Sequence, residues 1–185
     1  MSLSDFINRL RHDYGYGVHS PLGFHLVKNV LNPPKGYAYY GYDRLDGLAS
    51  SGASSEEFRR ARMLLRLVAD RQPVFVWCSP GVSPLYVEAI KLAGGVVRIF
   101  DGEVFPADIA KSEVIIIADE LPPDIDKILS MPGKTLVCFD VGKENVLRLK
   151  TMIREGIMFS TPESAIIVTA QGVTPMEYKV SKWRI

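Results

Sequence analysis

Cysteine is scarce: Cys78 and Cys138 are the only two in 185 residues. Two thiols make neither a disulfide framework nor a zinc site. Both lie within or at the end of apolar runs, Val74 to Cys78 and Leu136 to Phe139, so they are expected as buried free thiols at neighbouring strand positions. An excess of one charge is also missing. Lys plus Arg number 22 and Asp plus Glu 21, a net charge of +1. A polyanion binder carries a basic excess, so nucleic acid is not an expected partner. No apolar run approaches the roughly 20 residues that cross a bilayer, and Met1 to Arg11 has no apolar segment of the secretory type. The expected location is the cytoplasm, with no membrane partner. Neither Gly-x-Gly-x-x-Gly nor a Walker loop occurs, so the common dinucleotide and triphosphate signatures are lacking.

What is present is the composition of an ordinary globular chain, 47% hydrophobic and 23% charged. Its length suits one domain, 1–185. Residues 1–52 form an N-terminal helical, tyrosine-rich extension and 53–185 an α/β core. In the extension, Phe6, Ile7 and Leu10 suggest a short helix. A second covers Leu22 to Leu31, stopped by Pro33 and Pro34. Gly36 to Tyr42 carries Tyr37, Tyr39, Tyr40 and Tyr42. Their apolar bodies and polar tips suit packing across the domain, a cleft, or the interface of a homodimer.

In the core, Ser54 and Glu57 have the spacing of a capping box before a helix reaching Ala69. Val74 to Trp77, Val96 to Phe100, Val114 to Ile117 and Thr135 to Phe139 are β-branched and apolar throughout. That is the pattern of parallel strands with helices on both faces. Helical patterns separate some of them: Pro84 to Leu92 behind the cap Ser83, Asp124 to Leu129, and Glu144 to Arg154. Ser164 to Thr169 and Glu177 to Lys182, joined through Gly172 and Pro175, suggest a C-terminal antiparallel hairpin.

Each strand ends in polar residues: Cys78-Ser79-Pro80-Gly81 leading to Ser83, then Asp101-Gly102, then Asp119-Glu120, then Asp140. In open parallel sheets ligands bind beyond these ends, a tight turn into a helix offers N–H groups to a carboxylate or anion, and an acid after the second strand can take ribose hydroxyls. The alternative is that these acids only cap turns facing water. His12, His19 and His25 are too unevenly spaced for a metal cluster. Hydrogen-bonded structural roles are the alternative to chemistry for them.

The order strand, Gly-bearing turn, helix, strand, acid, with a terminal hairpin, resembles class I S-adenosylmethionine-dependent methyltransferases. The opening Arg11-His12-Asp13-Tyr14-Gly15-Tyr16-Gly17-Val18-His19-Ser20-Pro21 and the segment Gly81-Val82-Ser83-Pro84-Leu85-Tyr86-Val87 are similar to small bacterial members of that family. The resemblance implies a Rossmann-like fold and methyl transfer from S-adenosylmethionine to a small-molecule acceptor. The cofactor would be held at Cys78, Ser79, Pro80, Gly81, Ser83, Asp101, Gly102 and Asp119, with His19 as general base on a hydroxyl acceptor. Where the family has an acid and then a glycine on the first strand, Phe75 and Trp77 stand here. That departure implies an alternative, a chain that keeps the fold but acts as a non-catalytic binding or oligomeric module with its crevice narrowed by Trp77. Asp119 and Asp140 match metal-binding places of catechol-type relatives, but Val141 replaces the further ligand, and no metal is expected.

Overall fold

Runs of β-branched residues, apolar on both sides, become neighbouring strands here. The computed structural model describes residues 7, 11–15, 17–34, 41–48, 52–94, 97–101 and 106–181. The strands are β1 (Phe75–Cys78), β2 (Arg98–Asp101), β3 (Val114–Ala118), β4 (Thr135–Phe139), β5 (Gly156–Ser160), β6 (Ala165–Thr169) and β7 (Met176–Lys179). They form one mixed sheet in the order β2-β1-β3-β4-β6-β5-β7. β1 pairs in parallel with β2 and β3, and β3 with β4. β6 runs antiparallel to both β4 and β5. The protein is thus α/β, with a seven-stranded, mostly parallel sheet.

Contacts along the chain gather into two compact units. Residues 73–82 and 98–179 make a sheet unit, and residues 1–72, 83–97 and 180–185 a helical unit. In the sheet unit the register aligns one row across the strands: Trp77, Ile115, Leu136, Ile167 and Met158. This row packs with Ile109 of α5 (Pro106–Lys111), Ile125, Ile128 and Leu129 of α6 (Ile125–Ser130), and Val146 and Leu149 of α7 (Lys143–Met152). The intervening residues, among them Val76, Cys78, Ile116, Val137 and Phe139, are buried as well. Strands buried on both sides need apolar side chains at every position. At the other end of the strands, buried Lys134 donates to Ala110 O at 2.6 Å and Ser112 O at 2.8 Å. It satisfies carbonyls at the end of α5 that the helix itself cannot.

The helical unit holds α1 (Pro21–Leu26), a π-helical turn (Val27–Leu31), α2 (Tyr42–Leu48), α3 (Ser55–Arg71) and α4 (Pro84–Leu92). Ser20 caps α1 by accepting the Gly23 N–H at 3.3 Å, and Pro21 occupies its first turn. The apolar stripe of α3, including Ala61, Leu64, Leu65 and Val68, is buried. Within that helix Arg66 is buried too. Its guanidinium donates to Val30 O at 2.6 Å and to the Tyr42 hydroxyl at 2.5 Å, tying α3 to the π-helical turn and to α2. Tyr42 is thereby used in packing. Tyr37, Tyr39, Tyr40, Phe6 and Leu10 lie outside the described residues.

Three expectations need correction. The C-terminal hairpin is β5–β6, not a pairing of Ser164–Thr169 with Glu177–Lys182. β7 lies at the far edge, parallel to β5. The Gly172–Pro175 turn signal was real, but β5 already occupies the edge of β6, so β7 pairs one strand further out. The short run Gly156–Ser160 directly follows a helical stripe, and periodicity did not separate the two. Secondly, Cys78 and Cys138 are buried free thiols, as expected, but β3 separates their strands. Thirdly, the helix over Leu22–Leu31 changes to π-helical pairing from Val27. Hydrophobic spacing does not encode that change of pitch.

Candidate functional site

The most unusual backbone of the sheet unit lies at the carboxyl ends of β1, β3 and β4. β1 is followed by Ser79-Pro80-Gly81-Val82, closed by Val82 N–H donating to Ser79 O at 3.3 Å. Pro80 sits second and Gly81 third, with a φ of 87°, the arrangement of a type II turn. An L side chain at position 81 would be strained. A Cβ there would also lie 3.6 Å from Asp119 Oδ2, so the carboxylate of Asp119 leans over the glycine.

Ser79 continues the ladder beyond β1. Its N–H donates to Ile116 O at 2.8 Å, and its Oγ accepts the Ala118 N–H at 3.0 Å. The hydroxyl replaces a main-chain carbonyl where β1 turns away. Asp119 N–H donates to Phe139 O at 3.1 Å, and Glu120 N–H returns to Ala118 O at 2.8 Å. That last bond closes a γ-turn around Asp119 with a φ of 63°, the rare and strained form. Asp140, after β4, has a φ of 54°, and its N–H donates to Ser164 Oγ at 3.1 Å. Two non-glycine residues with positive φ at adjacent strand ends are uncommon, and such strain concentrates at ligand-binding edges.

The expected site residues fall as follows. Ser79, Pro80, Gly81 and Asp119 share this edge. Cys78 is 1% exposed inside the sheet, so only its backbone reaches the edge. Asp101 closes β2 opposite Cys78 in register. Gly102 lies outside the described residues. Trp77, expected as a possible obstruction, is 1% exposed in the core beneath α5 and α6, because its strand position alternates with Cys78 and faces the helices. Phe75, on the same side, stacks on Phe100 with ring centroids 5.7 Å apart. Burial lifts the Cys138 thiol to about 12, which leaves no thiolate nucleophile at neutral pH.

Ser83 and His19 belong to the helical unit. Ser83 caps α4 and its hydroxyl has two internal partners, Leu85 N–H at 3.2 Å and the carboxylate of Glu57. The capping box expected at Ser54–Glu57 is therefore half formed. Ser54 Oγ accepts the Glu57 N–H at 3.1 Å, while the Glu57 side chain goes to Ser83. His19 is exposed and precedes the Ser20 cap. Helix capping accounts for the His19-Ser20-Pro21 element. Sequence spacing concealed a polar cluster around His25, whose Nε2 lies 2.6 Å from Asp70 Oδ1 and whose Nδ1 lies 2.8 Å from Asn29 Nδ2. The sequence separation of 45 between His25 and Asp70 hid that contact, although the i,i+4 pairing with Asn29 was readable.

Among the described residues no group of three or more His, Cys, Asp or Glu side chains is placed to hold a metal ion. No described helix is long and apolar enough to cross a membrane. An apolar cleft of about 130 Å³, lined by Ile109, Pro122, Ile128 and Met131 among others, flanks α6. Its charged rim, Lys127 and Asp124, is a closed ion pair at 2.8 Å, so the strand-end edge has the better chemistry. Fold and edge together define an α/β protein with a mixed sheet and a glycine turn at the end of an interior strand. No family model matches the chain, and no curated protein is similar to it in sequence.

Proposed function

We propose that this chain is a small S-adenosylmethionine-dependent methyltransferase of Rossmann-like fold acting on a small-molecule acceptor. The observation that carries the reading is the carboxyl end of β1. The chain goes from β1 to β2 on one side and then to β3 on the other. Ligands of open α/β sheets bind where the winding reverses in this way. At that point stand the Gly81 turn and Asp119, with Asp101 at the end of β2. The order strand, glycine turn, helix, strand, acid is the one that resembles class I methyltransferases. Trp77, on the first strand, is buried in the core and takes no space at the turn.

The fit is partial and specific. Gly81 lacks the Cβ that would crowd the edge, and Asp101, at the end of β2, is the acid this reading assigns to the ribose hydroxyls. Phe75 supplies none of the carboxylate the family carries on this strand. When bound, S-adenosylmethionine supplies an electrophilic methyl group on a sulfonium. The chain's contribution is to hold the donor and orient the acceptor in line, which is the main source of rate in such transfers. Methyl transfer requires no nucleophile from the protein, in keeping with the buried, protonated Cys138.

A second reading, a non-catalytic binding or oligomeric module, is favoured by Tyr14 and Phe24 in the helical unit, 49% and 46% exposed, since exposed aromatics are enriched at interfaces. One titration separates the two. A ligand that binds only the native state raises the melting temperature by mass action. S-adenosylmethionine or S-adenosylhomocysteine is expected to raise it with concentration. No shift at millimolar ligand removes the enzyme and leaves the module.

A further inference from the structure

Within the helical unit, α3 ends on two neighbouring charges with different fates. Asp70 meets His25 Nε2 at 2.6 Å. Arg71, the last residue of the helix, keeps one edge of its guanidinium unused. A basic side chain in the last turn commonly hydrogen-bonds the final helix carbonyls. Here Nε and Nη2 are both buried, and among the described residues neither finds an acceptor. These two atoms share one edge of a planar group, with their N–H bonds aligned as a fork. Burial weakens the hold of the guanidinium on its proton, and the charge of Asp70 is too weak to make up for it. The group stays charged all the same, because arginine is not deprotonated in proteins. Buried polar groups are hydrogen-bonded almost without exception, and a buried charge without a partner is strongly destabilising.

We propose that Arg71 is a binding site for a small carboxylate, held side-on by Nε–H and Nη2–H. The two oxygens of a carboxylate match the plane of the fork, so both unused donors are satisfied at once. Its single negative charge offsets the single positive charge that burial leaves uncompensated. The donors are shut off from solvent, so the entering ion has to be compact. A phosphate group also presents oxygens to arginine, but it is bulkier and brings a second charge that one guanidinium does not offset. Asp70 opposes any anion here, yet its charge is already outweighed by burial at this guanidinium. The site is independent of the cofactor reading.

Formate is the probe. The full chain is titrated with sodium formate at an ionic strength held constant with sodium chloride. The Nε–H resonance of Arg71, assigned by its loss in Arg71→Lys, is expected to shift and to saturate with a roughly millimolar midpoint, the order of one desolvated ion-pair fork. The melting temperature should rise with formate, as for any ligand of the native state. R71K, which keeps a charge without the fork, should lose that rise. Inorganic phosphate is expected to bind roughly tenfold more weakly than formate. Without formate, Arg71→Met is expected to fold as well as wild type, since methionine keeps the stem and removes the unpaired charge. An Nε–H resonance indifferent to formate overturns the site, and so does an equal thermal rise in R71K. Phosphate bound as tightly as formate overturns the ligand class. A folding equilibrium of R71M more than about tenfold poorer than that of wild type would show that the chain itself supplies the partner, and overturns the site as well.

Discussion

Gly156 opens β5 with a φ of 130°, and a Cβ on it would stand 2.2 Å from Val168 O and 2.9 Å from Thr169 Cα. Both atoms belong to the backbone of β6, which cannot retreat without giving up its pairing with β4. Gly156→Ala is therefore expected to cost about 3 kcal/mol or more, since overpacking and a forbidden φ act at the same atom. Urea unfolding measures it, and a loss below about 1 kcal/mol would mean that the β5–β6 register is not the one described. Trp77 teaches the same lesson from the opposite direction. Its identity was readable as a bulky intruder in a glycine place, but the side of the sheet it faces was not. Alternation with Cys78 and the register with Ile115 turn it to the helices.

At the scale of elements, β7 is the informative one. Its Glu177 accepts the Ser160 hydroxyl of β5 at 2.7 Å and pairs with Lys150 of α7 at 2.6 Å. Desolvation pushes its carboxyl upward, but the hydrogen bonds from Lys150 and Ser160 and the charges of Lys150 and Lys179 outweigh that and hold it below its ordinary 4.5. A depressed folded-state value means that the unfolded chain binds the proton more readily. The stabilisation is thus present above pH 4.5 and is lost as pH falls through the lower folded-state value. Glu177→Gln is expected to cost about 1 kcal/mol at pH 7, after allowing for its partial exposure. The cost should shrink as pH falls below 4.5 and through the folded-state value. Urea midpoints measured down a pH series check this, and a cost that does not change with pH would show that the charge is not what anchors β7.

The elements were unevenly legible. β3 and β4 were marked by runs such as Val114–Ile117 that no amphipathic helix would tolerate at a surface. Pro84 behind Ser83 announced the start of α4 for reasons confined to neighbouring residues. α2 and α5 were not read, because Gly47 within the first and the six-residue length of the second leave no periodic stripe to detect. The strand-end site was half legible. The acids and Gly81 were visible in sequence, while the γ-turn at Asp119 and the Ser79 side-chain bridge exist only once β1, β3 and β4 lie together.

For the molecule as a whole, charge is the property that composition controls. With 22 basic and 21 acidic residues, few counterions can be released on contact with a polyanion. Duplex DNA is accordingly expected to bind no more tightly than about 10⁻⁴ M at physiological salt. Fluorescence anisotropy tests this, and a tighter, steeply salt-dependent affinity would reveal a concentrated basic face.

By itself the sequence determined that β1, β3 and β4 are apolar strands, where α3 and α4 begin, and that both cysteines are buried. These follow from local chemistry: side-chain branching, a capping hydroxyl, a proline without an N–H. Only the tertiary structure decided that β7 lies beside β5, that Trp77 enters the core, and that Glu57 reaches across to Ser83. Those outcomes depend on which of several sterically possible partners lies within hydrogen-bond or van der Waals distance. No stretch of neighbouring residues carries that information.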